Sequence, residues 1–139
     1  MTWAEQAEAR LIEAGHRRGG ARRAVLEELG RRHCAVSARD VEDALKRKVG
    51  LASIYRALEQ LDELGLVIRV EVGDGVTRYE PRHASGEHHH HLVCRSCGAV
   101  QPFEDAALEQ AIHAVSDSVD FEVDAHDVVL QGTCRTCRN

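Results

Sequence analysis

Helical periodicity through the first half of the chain, two short alternating strands directly after it, and a later run of brief strands around one helix and two Cys-x2-Cys pairs predict an α+β protein. The first part reads as an N-terminal winged helix-turn-helix and the second as a small α/β unit. The boundaries fall at 1–80, a linker at 81–87, and 88–139.

Residues 2–14 carry Trp3, Ala7, Leu11 and Ala14 at helical spacing, and Gly15 stops the run. After the basic link His16-Arg17-Arg18-Gly19-Gly20, a second helix from Ala21 to Arg31 places Ala21, Val25, Leu26 and Leu29 on one face. Ser37-Ala38-Arg39-Asp40 has the spacing of a capping box with Asp in place of Glu. It opens a third helix that ends in Lys46-Arg47-Lys48. A fourth runs from Leu51 to Leu64, with Leu51, Ile54, Leu58 and Leu61 on its apolar face and Ser53, Tyr55, Arg56 and Gln60 elsewhere. Such an outer face can reach base edges and phosphates, or can be ordinary polar surface.

Val67 to Val72 and Val76 to Glu80 alternate as strands around the turn residues Gly73-Asp74-Gly75, making the wing. In the second part, strands are expected at Leu92-Val93, Val100 to Phe103, Phe121-Glu122-Val123 and Val128 to Leu130. A helix is expected from Asp105 to Ser118, with Ala107, Leu108, Ala111, Ile112 and Val115 inward.

The 43% hydrophobic content can supply a core, and the 29% charged content matches a soluble globular protein. No apolar run approaches the ~18 residues of a membrane span, and Glu5 interrupts any secretory leader. A cytoplasmic protein keeps its thiols reduced, so five cysteines including two Cys-x2-Cys pairs point to metal rather than disulfides. The net charge of −5 is uneven. Residues 1–56 hold 12 Lys and Arg against 8 Asp and Glu, and residues 57–139 hold 6 against 15. That split suits nucleic acid at one end only, and Arg17, Arg18, Arg22 and Arg23 form a cluster suited to phosphates.

Cys94, Cys97, Cys134 and Cys137 form two knuckles with 36 residues between them. Four thiolates make a closed tetrahedral zinc site with no open position for substrate, so its role is structural. His88 to His91 run straight into the first knuckle. In an extended segment alternate side chains face opposite ways, so His89 and His91 serve one site and His88 and His90 another. Imidazole suits Zn(II), Fe(II), Ni(II) and Cu(II). Further ligands are available at Glu80, His83, Glu109, His126, His33 and Cys34.

Across nearly its whole length the chain resembles the Fur (ferric uptake regulator) family of metal-responsive repressors. The resemblance lies in Gly50-Leu51-Ala52-Ser53-Ile54-Tyr55-Arg56, the wing ending Tyr79-Glu80, the run His88 to Gly98, and Gly132-Thr133-Cys134 with Cys137. It implies a winged-helix DNA-binding domain, a hinge and an α/β dimerisation domain. It also implies three metal sites: structural Zn(II) on Cys94, Cys97, Cys134 and Cys137; a regulatory site on Glu80, His89 and His91; and an additional site on His88, His90, Glu109 and His126. Arg22, Ser53, Tyr55 and Arg56 match the DNA-contacting surface.

Some positions depart from the family pattern. Iron-sensing members place a His directly before the Val-Ser-Ala stretch, where this chain has Ala35, so the fourth regulatory ligand is His33, Cys34 or His83. Zinc-sensing members use a linker Cys and a wing Asp, where this chain offers His83 and Ile68. Glu80 fits the iron type and His90 the zinc type, which leaves Fe(II) and Zn(II) both open. The resemblance implies a homodimeric repressor of metal-homeostasis genes on an A/T-rich inverted repeat of double-stranded DNA, with no small-molecule substrate. A peroxide-sensing member is the alternative within the family, although such members favour Asp among the regulatory ligands. A zinc hydrolase is the alternative from another class, but no His-Glu-x2-His motif is present.

Overall fold

The computed structural model describes residues 1–32, 34–83 and 89–139. The chain divides into two compact units, Met1–Glu87 and His88–Asn139. Among the described residues no helix is long and apolar enough to cross a membrane.

In the first unit α1 (Trp3–Glu13), α2 (Gly20–Arg31), α3 (Ala38–Ala44) and α4 (Leu51–Glu63) surround one core. Thr2 caps α1 through a reciprocal box with Glu5, and Ser37 caps α3 through the same box with Asp40. Both boxes satisfy backbone donors that a helix start leaves orphaned. The apolar stripes meet as expected: Leu11, Val25, Leu29, Val41, Ile54, Leu58 and Leu61 are each 0% exposed.

The sheet order is β1-β3-β2, all antiparallel, with β1 (Val36–Ser37), β2 (Val67–Glu71) and β3 (Thr77–Pro81). The β2–β3 hairpin is the wing, and its turn needs the left-handed backbone of Gly73 (φ 86°) and Gly75 (φ 80°). The sequence does not predict the two-residue β1, because a strand that short has no readable period. Pairing of Val36 with Tyr79 defines it.

The third helix stops at Ala44, short of the basic run expected to close it. Lys46 (φ 53°) and Arg47 (φ 59°) instead take the left-handed conformation in succession. That conformation costs about 1–2 kcal/mol per residue for side chains with a Cβ.

The second unit is built on β4 (His90–Cys94), flanked by antiparallel β5 (Val100–Phe103) and parallel β6 (Val129–Gly132). Helix α5 (Ala106–Ser118) and the short α6 (Arg135–Arg138) complete it. Two expectations are corrected. Phe121-Glu122-Val123 is not a strand. Helix α5 has the expected apolar stripe but no buried residue, with Leu108 and Ile112 half-buried and Val115 62% exposed.

Candidate metal centres and nucleic-acid face

The four-cysteine cluster follows from where β4 and β6 end. Cys94 is the last residue of β4, and Cys134 is the N-cap of α6, just past β6. Parallel pairing of Cys94 with Gly132 brings the two knuckles together. Gly98, at φ 76°, turns the first knuckle so that its N–H donates to the Cys94 carbonyl at 2.9 Å.

All four sulfurs lie within 4.8 Å of one another, and Cys97 Sγ is 3.8 Å from Cys134 Sγ. That is far from the ~2.05 Å of a disulfide. A tetrahedral ion with metal–sulfur bonds of about 2.3 Å sets its sulfurs about 3.8 Å apart, so the donor set fits one structural metal. The Cys134 backbone N–H donates to Cys94 Sγ at 3.3 Å. That donor, followed by the backbone N–H of Cys97, pulls the Cys94 thiol down to about 6. Hydrogen bonds with Cys134, Cys94 and Cys97 push Cys137 up to about 12. Four thiols at this spacing cannot all ionise without a cation among them.

His90, Glu109 and His126 form a second cluster in the same unit. His90 is 1% exposed. Glu109, on the first turn of α5, reaches His90 Nε2 at 2.5 Å with one oxygen and His126 Nε2 at 2.7 Å with the other. The hydrogen bond from His90, then that from His126, hold the Glu109 carboxyl below its ordinary value. The Val128 N–H donates to His90 Nδ1 at 3.1 Å, so the neutral ring carries its proton on Nε2, facing Glu109. The three side chains could together hold one cation. His88, expected here, lies outside the described residues.

The remaining ligands divide between the units. In the first, Cys34 Sγ and a Glu80 carboxylate oxygen lie within 4.8 Å of each other. Glu80 is on β3, 5% exposed, and the Val36–Tyr79 pairing carries Cys34 alongside it. In the second, ring nitrogens of His89 and His91 lie within 4.8 Å, with ring centroids 5.0 Å apart. His90 points to the Glu109 cluster and His91 pairs with His89, so the strand alternation sorts their rings as its period requires. His83 is exposed in a cleft with Trp3 and Arg10 and, among the described residues, joins no cluster. His33 lies outside the described residues.

On α4, Tyr55 is 45% exposed, Arg56 is exposed and Ser53 is half-buried, all on its first two turns. Arg22 is tied inward: its guanidinium donates to Gln60 Oε1 at 3.3 Å and to the Arg17 carbonyl. It braces α2 against α4.

A model of the ferric uptake regulator family matches residues 13–131. The ferric uptake regulation protein of Bacillus subtilis is 41% identical over 106 residues, covering 73% of this chain and 71% of that protein. The crystal structure of the Vibrio cholerae ferric uptake regulator, described for a rearrangement of its DNA-binding domains, is similar at TM-score 0.78 and 32% identity. That match covers 89% of this chain and 96% of the other. A ferric uptake regulator structure from Francisella tularensis with iron matches at TM-score 0.79 and 26% identity, over 90% and 96% of the two chains.

Proposed function

This chain belongs to the ferric uptake regulator family, whose members are regulators rather than enzymes, and on that premise we propose that it is a homodimeric, metal-dependent DNA-binding repressor of metal-homeostasis genes. It acts in the cytoplasm on an A/T-rich inverted repeat and has no small-molecule substrate. The observation that carries this reading is the pairing of ligand-grade side chains within each unit, Cys34 beside Glu80 and His89 beside His91.

The regulatory site takes Glu80, His89 and His91, with Cys34 as the fourth ligand in preference to His33 or His83. Bound Fe(II) or Zn(II) supplies a charge that both pairs share. A thiolate among the ligands favours Zn(II). Because the ligands come from either side of the linker, occupancy favours the arrangement of units in which they meet, and ~1.4 kcal/mol of preference shifts that population tenfold. Cys94, Cys97, Cys134 and Cys137 hold structural Zn(II). His88, His90, Glu109 and His126 form the additional site.

Exposed Tyr55 and Arg56 on α4 read the major groove, in the manner of a helix-turn-helix recognition helix. The apolar surface at Val115, Phe121 and Leu130, which are 62%, 72% and 48% exposed, pairs with a second copy.

Gel shift on an A/T-rich inverted repeat, with Fe(II) or Zn(II) and with chelator, tests the reading. Retention is expected only with metal. His89→Ala with His91→Ala should abolish that response while the cysteine-bound zinc and the fold remain. Retention indifferent to chelation and to both metals overturns the reading.

A further inference from the structure

The turn between α3 and α4 is the most strongly charged short segment outside the sites described, and it is held in a conformation its residues disfavour. Lys46 and Arg47 both have positive φ, at 53° and 59°. Glycine or asparagine is the usual occupant of such positions. The backbone does not explain the choice. The Lys46 N–H donates to the Asp43 carbonyl and the Arg47 N–H to the Glu42 carbonyl, both at 3.0 Å, and glycine would make the same two bonds.

Packing does not explain it either, since Lys46, Arg47 and Lys48 are all exposed. Nor do ion pairs. Arg23, Arg31, Arg32, Arg69 and Arg78 in this unit each meet a carboxylate. Among the described residues, Lys46, Arg47 and Lys48 form no ion pair or side-chain hydrogen bond, even with Glu42 and Asp43 on the preceding helical turn. Two cationic side chains thus sit at a conformational cost and return nothing to the fold. Backbone strain of this kind is retained where an outside contact uses it.

We propose that Lys46-Arg47-Lys48 is a clamp for DNA phosphates. The inference rests on the DNA-binding reading given above. Two residues, Val49 and Gly50, separate Lys48 from the start of α4 at Leu51. When the first turns of a recognition helix lie at base edges, the segment leading into it lies at the strand backbone. The clamp contributes affinity without sequence preference, and its charge works through the release of counterions. Its backbone N–H groups are already bonded, so the side chains alone reach the phosphates.

The test compares full-length wild type, Lys46→Gly with Arg47→Gly, and Lys46→Gln with Arg47→Gln. Each is titrated with an A/T-rich inverted-repeat duplex and with a scrambled duplex across a range of salt, in Zn(II) and separately in anaerobic Fe(II). Both double variants should weaken binding to the two duplexes equally and lower the slope of log K against log salt by about 3.6 for the bound dimer, roughly 0.9 for each of the four phosphates that two copies no longer neutralise. Only the glycine pair should also raise Tm, because only it relieves the left-handed backbone. A glycine pair that gains stability and keeps the wild-type salt slope overturns the clamp and leaves the repressor reading intact. A wild type that binds neither duplex with either metal overturns both.

Discussion

Asp74 shows how one side chain fixes the shape of the wing. Its carboxylate accepts from both terminal nitrogens of Arg78, at 3.1 and 2.9 Å, and from the Val76 N–H at 3.1 Å. The Arg78 hydrogen bond is the largest reason that its carboxyl sits below the ordinary value. A carboxyl lowered by folding adds stability above its unfolded pKa of about 3.9 and loses it as pH falls through the lower folded value. Glu5, held down by the Thr2 backbone N–H, and Glu109, held down by His90, act in the same direction. The share of stability that these carboxyls contribute should therefore be level above about pH 5 and fall below about pH 4. Asp74→Asn removes one share of that acid sensitivity and deprives Arg78, 7% exposed, of this counter-charge, at a cost of about 1–2 kcal/mol near neutrality. Thermal melts from pH 3 to 7 check this. A variant with wild-type Tm at pH 7 and an unchanged acid limb would show that the pair contributes nothing. Residue detail of this kind is only partly legible in the sequence. Gly73-Asp74-Gly75 announces a turn, but nothing in it names Arg78 as the partner. Thr2 to Glu5 carries the same capping spacing as Ser37 to Asp40, but its box closes only when both side-chain-to-backbone hydrogen bonds form, which spacing alone does not show. Cys34 can be placed beside Glu80 only once β1 has paired with β3.

At the scale of elements, α5 is the informative one. Its apolar positions recur at helical spacing, and the sequence leads one to expect a covered face, yet none of its residues is buried. The period reports that a face is apolar and says nothing of what covers it. Phe121-Glu122-Val123 misleads for the same reason. Its alternation reflects apolar side chains left outside, 72% exposed at Phe121 and 43% at Val123, rather than a strand in the sheet. If that surface is the contact between two copies, Val115→Asp places a charge in it and should raise the dimer dissociation constant by at least tenfold, in line with one desolvated charge costing several kcal/mol. Sedimentation velocity over a concentration series reads the change, and Tm should lose any dependence on protein concentration. An unchanged dimer would move the contact elsewhere. The third helix misleads differently. Its capping box is plain in the sequence, but Lys46 and Arg47 look like an ordinary basic helix end, since no glycine or asparagine marks the left-handed turn.

The two units stand on different physical footings. The first has a core running from Ala4 to Tyr79, in which Leu11, Val25, Leu26, Leu29, Val41, Ile54, Leu58, Leu61 and Val67 are under 2% exposed. Among the described residues of the second unit, the buried hydrophobic ones are Val93 and Cys94, and the other buried side chains are His90 and His91. A unit of 88–139 is in the size range where a hydrophobic core alone is marginal and a metal or a partner copy supplies the difference. A metal held by the four cysteines would tie the end of β4 to the start of α6, and its binding free energy would then be folding free energy for this unit. Removal of all metal with a strong chelator should then unfold the second unit and leave the first folded. Hydrogen exchange gives the cleanest view. Amides of β4, β6 and α5 should lose protection after chelation, while those of α1, α2 and α4 around Leu26, Leu29 and Leu58 keep theirs. Cys94→Ser should reproduce the pattern without chelator, and His89→Ala should not. Equal loss of protection in both units would mean that they fold as one cooperative body. Full retention in α5 would mean that the thiol cluster is dispensable for the fold, and the structural role given to it would fall.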